Sequence, residues 1–262
     1  MEMNFQVASL KSEKSPLALM IRKLELWKGL SVEEEAAVLA LPYTLTEMTP
    51  SQYLVRDGEK TTHSCLLISG FAIRQKRALD GGRSICGVHM RGDIVDLQNS
   101  LLGRADHSVQ PLTMATFAKI PRDALIELAY RLPNIGLAMW YDTLVDGSIF
   151  REWILSITRR PAVPRIAHMI CEFGVRLEAL GLGERSSYEF PMNQDQLADA
   201  TGLTSVHVNR SLRVLEERGL IVRTARYIVV ADWAALETTG EFDEAYLHLG
   251  GSPFSPHRTS AQ

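Results

Sequence analysis

A chain of 262 residues exceeds the roughly 100 to 150 residues of a common single domain, so two modest domains, each with its own core, are expected. Its composition, 46% hydrophobic and 23% charged, is that of a globular protein, and no apolar run nears the ~18 residues of a membrane-crossing helix. A formal net charge of -3 excludes a protein that coats nucleic acid by bulk charge and leaves room only for a local basic surface.

The first residues, MEMNFQVASLKSEKSP, lack the apolar core and small-residue cleavage site of a secretory signal, so a cytoplasmic protein is expected. In SPLALMIRKLELWKGLSVEEEAAVLAL the apolar residues recur at the helical period up to Pro42, which predicts one or two short helices. From Tyr53 to about Pro121 short apolar runs such as SCLLISGFAIRQKRA and SICGVHM alternate with the turn signals RDGE, SG, LDGGR and RGD. Turns at roughly 8 to 12 residue spacing predict a small antiparallel β-barrel. Cys65, Cys86 and Cys171 are odd in number, far apart and without a CxxC pair, which predicts packed thiols rather than a disulfide or metal cluster.

From Arg122 to Leu180 the pattern turns helical. Between Pro133 and Pro161 one apolar stripe holds Leu137, Trp140, Tyr141 and Leu144, and an adjoining face holds Val145, Ile149, Trp153 and Ile157. So wide an apolar arc needs cover on more than one side. The barrel supplies one cover and a second copy of the chain the other, with Leu137, Tyr141, Leu144, Val145, Ile149 and Trp153 as the expected dimer contacts; a helix central to a monomer is the alternative. RRPAVPRIAHMICEFGVRLEALGLG predicts a further helix from Pro161 to about Leu180, stopped by Gly181 and Gly183. The tail LGGSPFSPHRTSAQ is expected to fray.

The stretch LADATGLTSVHVNRSLRVL, Leu197 to Leu215, carries the functional signal. Asn193 can cap a helix whose inward positions are Leu197 and Ala198, Gly202 allows the positive φ of a tight turn, and Thr204 can cap the next helix. Val208, Leu212 and Leu215 then face inward while Ser205, Val206, His207, Asn209, Arg210 and Arg213 face out, the division a recognition helix needs. GLIVRTARYIVVAD predicts a two-stranded wing with Arg223 and Arg226 near phosphates. Between Gln194 and Ala231 every basic residue (Arg210, Arg213, Arg218, Arg223, Arg226) lies in the second helix or the wing, while Asp195 and Asp199 lie on the first helix. That segregation gives an acidic chain a basic contact surface.

QDQLADATGLTSVHVNRSLRVLEERGLI resembles the winged helix-turn-helix of the Crp/Fnr family of bacterial transcription regulators. The barrel, with its RDGE, SG, DGGR and RGD turns, is similar to the family's cyclic-nucleotide-binding-type sensor, and the likeness spans about Leu24 to Trp233. It implies an α+β fold with a sensor barrel at 1–132, a dimerisation helix at 133–160, a winged helix-turn-helix at 161–240 and a tail at 241–262. It also implies a homodimer that reads a palindrome whose half-sites lie about one DNA turn apart. DNA contacts are then expected from Thr204, Ser205, Val206, His207, Asn209, Arg210, Arg213, Arg223 and Arg226. RNA polymerase is an expected partner and a membrane is not.

Family members that bind cyclic AMP use a Gly-Glu and an Arg-Ser, whose places here look like Gly92-Asp93 and His107-Ser108, with Arg104 nearby. Aspartate is one methylene shorter, and a histidine, mostly neutral near pH 7, cannot fork onto a phosphate, so cyclic AMP binding is not expected. The oxygen-sensing branch clusters cysteines near its N-terminus, and here none precedes Cys65. Some members bind haem, but His63, His89 and His107 are lone histidines on strand-like segments and read as satisfied polar residues. No cofactor, metal or catalytic residue is expected: the chain shows no nucleophile elbow, P-loop, dinucleotide fingerprint or paired metal-ligand motif. A regulated enzyme with an appended winged helix and a protein-interaction module remain as the alternatives.

Overall fold

The computed structural model describes residues 15–249. Two short helices come first, α1 (Ala18–Glu25) and α2 (Val32–Leu39). Ser31 and Glu34 close a capping box at the start of α2, each side chain bonding the other's backbone N–H. The expected sensor follows as two antiparallel three-stranded sheets. One has the order β1-β6-β2, with β1 at Thr44–Met48, β2 at His63–Ser69 and β6 at Ala115–Pro121. The other has the order β4-β3-β5, with β3 at Ala72–Arg77, β4 at Arg83–His89 and β5 at Ser108–Pro111. Gly70, at φ 80°, makes the β2–β3 turn; a Cβ there would lie 2.3 Å from the Met114 carbonyl oxygen. Strand β1 lies ahead of the Tyr53 at which the sequence pattern begins, because TLTEM buries only Met48 and carries no alternation to read.

A short helix, α3 (Asn99–Leu102), sits within the loop that follows β4, and α4 (Arg122–Arg131) follows the last sensor strand. The long helix α5 (Pro133–Arg159) begins on Pro133, whose ring suits the first helical position. Its faces differ from the expectation. Val145, Ile149 and Trp153 are buried in their own chain, beside Ile73, Met90 and Phe173, and Tyr141 is half-buried with its ring 5.5 Å from that of Trp27. Of the six expected dimer contacts only Leu137 and Leu144 stay exposed, and Trp140 and Ile154, each 63% exposed, join them. The i, i+4 row from Val145 drifts round the helix toward the sensor, whereas the i, i+3, i+7 row from Leu137 keeps to one seam.

Helix α6 (Ala162–Ala179) is the centre of the molecule, buried along most of its length. The helix-turn-helix unit, the expected reader, follows as α7 (Gln194–Thr201), α8 (Ser205–Glu217) and a sheet of order β7-β9-β8. The wing strands are β8 (Ile221–Arg223) and β9 (Tyr227–Val230), and β7 (Ser187–Glu189) adds a third strand that the sequence pattern does not announce. Helix α9 (Trp233–Gly240) and a 3-10 turn (Glu244–Leu247) pack back onto α6. The expected tail boundary at 241 therefore moves: Phe242 and Leu247 are core residues, and the stretch 250–262, like 1–14, lies outside the described residues.

Separate cores do not form either. One hydrophobic cluster runs from Ile73, Ile85 and Val88 of the sensor through α5 and α6 to Leu197, Val208 and Leu215 of the reader, and two smaller clusters fill the rest of the sensor. The cysteines are free thiols, Cys65 and Cys171 buried and Cys86 half-buried.

Candidate nucleic-acid interface and sensor pocket

Local chemistry places the reader's surface. The Asn193 side chain accepts the Gln196 amide at 2.9 Å and the Gln196 side chain accepts the Asn193 amide at 2.9 Å, which starts α7. Gly202, at φ 64°, turns the chain, and Thr204 Oγ1 accepts the His207 amide at 3.3 Å to start α8. Arg165 Nη1 donates to the Thr201 carbonyl at 2.8 Å and satisfies the end of α7. Val208, Leu212 and Leu215 are buried, whereas Thr204, Val206, His207, Asn209, Arg210 and Arg213 are exposed and Ser205 is half-exposed with its hydroxyl bonded to Asp195.

The expected phosphate contacts divide. Arg226 stands exposed at the wing tip, but Arg223 is held by the Glu216 carboxylate through two bonds, 2.9 Å from Nε and 3.0 Å from Nη2, and that pairing holds the Glu216 carboxyl below its usual range. Arg213 pairs with Glu217 at 2.8 Å. A groove of about 550 Å³ separates the wing from the start of α7, lined by Asn193, Gln194, Arg223, Thr224 and Tyr227. Tyr227, beside the two wing arginines, is an exposed polar aromatic that the charge-based reading passes over.

The sensor's expected pocket residues do not converge. Gly92, at φ 97°, turns the chain so that Asp93 is buried, its carboxylate accepting the Met90 amide at 2.9 Å and facing Lys23 Nζ at 2.8 Å and Arg176 Nη2 at 3.5 Å. Burial alone would raise this carboxyl, but Lys23 first, with His89 and Arg176, reverses the effect and holds it far below the carboxylate range. His107 is buried with Nδ1 2.6 Å from Asp106, and burial followed by the Arg74 charge pushes it down to about 4, so it is neutral near pH 7. Ser108 accepts the Asp57 amide at 3.0 Å, and Arg104 points outward, its Nη1 donating to the Gly58 carbonyl at 2.5 Å.

Arg74, which the sequence reading does not single out, is the buried guanidinium of the sensor. It pairs with Asp146 of α5 at 2.5 Å, donates to the Val95 carbonyl at 3.1 Å and lies over the Phe150 ring. A cavity of about 50 Å³ beside Asp93, lined among others by Lys23, Trp27, His89, Asp142 and Arg176, has room for a few waters and not for a nucleotide. His63 bonds Thr62 at 2.8 Å, and His89 is buried 3.7 Å from Asp93. Among the described residues no group of three His, Cys, Asp or Glu side chains could hold a metal ion.

Comparison with known proteins follows the same division. A profile described as a cyclic nucleotide-binding domain matches residues 45–131, and one described as a Crp-like helix-turn-helix domain matches residues 164–239. The chain is 26% identical over 208 residues to the transcriptional activator protein FnrL of Cereibacter sphaeroides, covering 78% of this chain and 83% of that protein. It is 24% identical over 215 residues to the fumarate and nitrate reduction regulatory protein of Salmonella typhi, covering 76% and 85%. Among solved structures, FixK2 from Bradyrhizobium japonicum aligns with a TM-score of 0.70 at 21% identity, covering 76% of this chain and 98% of that one. A CooA mutant from Carboxydothermus hydrogenoformans aligns at 0.62 with 16% identity, covering 76% and 88%. At these identities the structural likeness establishes the fold.

Proposed function

The chain belongs to the Crp/Fnr family of DNA-binding transcription regulators, and from that premise we propose that it is a homodimer that reads a palindromic operator without a cyclic nucleotide. It is a regulator and not an enzyme. The observation that carries the reading is the outward face of α8, where Val206, His207, Asn209 and Arg210 stand exposed beside the wing.

Arg210 is the base reader, its guanidinium suited to guanine O6 and N7, and Val206 packs on a thymine methyl. Arg213, Arg223 and Arg226 hold phosphates, with Thr204, Ser205, His207 and Asn209 lining the contact. Dimerisation uses the α5 seam, in which Leu137, Trp140, Leu144, Gly147, Arg151 and Ile154 recur at alternating spacings of three and four. The neutral His107, the outward Arg104 and the small cavity support independence from cyclic nucleotides. A partner that is chromosomal DNA places the protein in the cytoplasm, where RNA polymerase is its next contact.

Selection of bound sequences from a random pool tests the reading. A palindrome should emerge, and Arg210→Ala should cost about 1 to 3 kcal/mol and relax the preference at one base pair per half-site. A pool with no enriched sequence, or an Arg210 variant with unchanged preference, overturns the reading or the reader.

A further inference from the structure

Strand β4 is one of the places where the reader rests on the sensor. At the start of β4, Arg83 Nε reaches Asp199 of α7 at 2.6 Å; at its other end the Val88 carbonyl accepts Arg176 Nη2 of α6 at 2.8 Å. The same guanidinium reaches Asp93 at 3.5 Å and Glu172 at 3.2 Å. Both acids are themselves anchored. Asp93 is held by Lys23, which also faces Asp142 of α5 at 3.5 Å, and Glu172 accepts Trp153 Nε1 and the Tyr246 hydroxyl, each at 2.9 Å. A buried polar chain thus runs from α1 through the sensor's Gly92 turn to α6, α5 and the 3-10 turn, with Arg176 at its centre. Helix α6 in turn packs directly on α8.

We propose that Arg176 is a positioning residue for operator reading: from α6 it grips Val88 and Asp93 and so fixes the angle at which the recognition helix stands on the sensor. By the family resemblance Asp93 looks like the place of a ligand contact, and here the chain's own cations, Lys23 and Arg176, face it. The role in operator reading rests on the proposed function; the geometry of the strut does not. The Arg83–Asp199 pair is partly solvated and weaker, and it steadies the far end of the same strand. Breaking the buried pair leaves Asp93 and Glu172 short of a cation, so the reader should lose its fixed angle rather than merely some surface contact.

The test uses the full chain with spin labels on Tyr130→Cys in the sensor and Arg218→Cys in the reader, both exposed positions, and Cys86→Ser removing the half-buried thiol. Arg176→Met, Arg176→Lys and Asp199→Asn are compared at a temperature below all their melting points. Mixed with an excess of unlabelled chain, so that a dimer carries one labelled protomer, the parent should give one narrow label distance. Arg176→Met should broaden it at least twofold, Arg176→Lys should recover part of the narrowing, and Asp199→Asn should broaden it least. In the same variants binding to operators with one base pair inserted between half-sites should change from a tenfold or greater penalty to threefold or less. A narrow distance in folded Arg176→Met overturns the proposal; if that variant does not fold, an unbroadened distance in Arg176→Lys does so. The label distance is read without DNA, so a failure of the operator reading itself shows as a parent without spacing preference and leaves the distance result to decide.

Discussion

Asp96 is fully buried, with Oδ1 accepting the Cys65 amide at 2.7 Å and Oδ2 unpartnered among the described residues. Burial pushes its carboxyl up to about 7. A folded pKa above the unfolded one means that the folded state holds the extra proton, so the contribution is fully present below about pH 4 and is lost as pH rises through 7, at up to roughly 1.4 kcal/mol per pH unit. Asp96→Asn keeps the shape without the ionisation. The variant's melting temperature should exceed the parent's by more at pH 8 than at pH 5, and thermal unfolding across that range checks it. At this scale the exposed row of α8 was legible, because caps, the Gly202 turn and inward spacing are local signals. Arg74 and Arg176 were not, since their partners Asp146 and Asp93 lie 72 and 83 residues away in the chain.

Helix α5 shows what an element hides. Its existence follows from Pro133 and an apolar pattern, but two adjoining apolar stripes fit the same period equally well, and only packing decides which one faces the sensor. The structure gives that role to Val145, Ile149 and Trp153 and leaves Leu144, 56% exposed, on the outer seam. Leu144→Asp should therefore split the proposed dimer and leave a folded protomer. Ile149→Asp should destabilise the protomer itself by roughly 2 kcal/mol or more, since it buries a carboxylate without a partner. Light scattering beside thermal melting separates the two outcomes. Strands β1 and β7 escaped the pattern for a related reason: TLTEM and SYE are short and each buries a single side chain.

In the whole molecule, the two-part chain expected from length folds around one continuous cluster that crosses from sensor to reader. Unfolding should consequently be a single calorimetric transition, with its van't Hoff and calorimetric enthalpies equal, where independent units would give two. The same economy of surface reaches the wing, where Glu216 already occupies Arg223, the arginine proposed to meet DNA. Every encounter with a phosphate is then an exchange of one anion for another, and the displaced carboxylate stays beside the phosphate that replaced it. A regulator searching a chromosome must let go of wrong sites quickly, and a built-in competitor for the wing arginine shortens each such stay. Glu216→Gln should lengthen residence on operator-free DNA in single-molecule tracking while delaying arrival at the operator, the outcome expected where the glutamate that weakens the grip speeds the search.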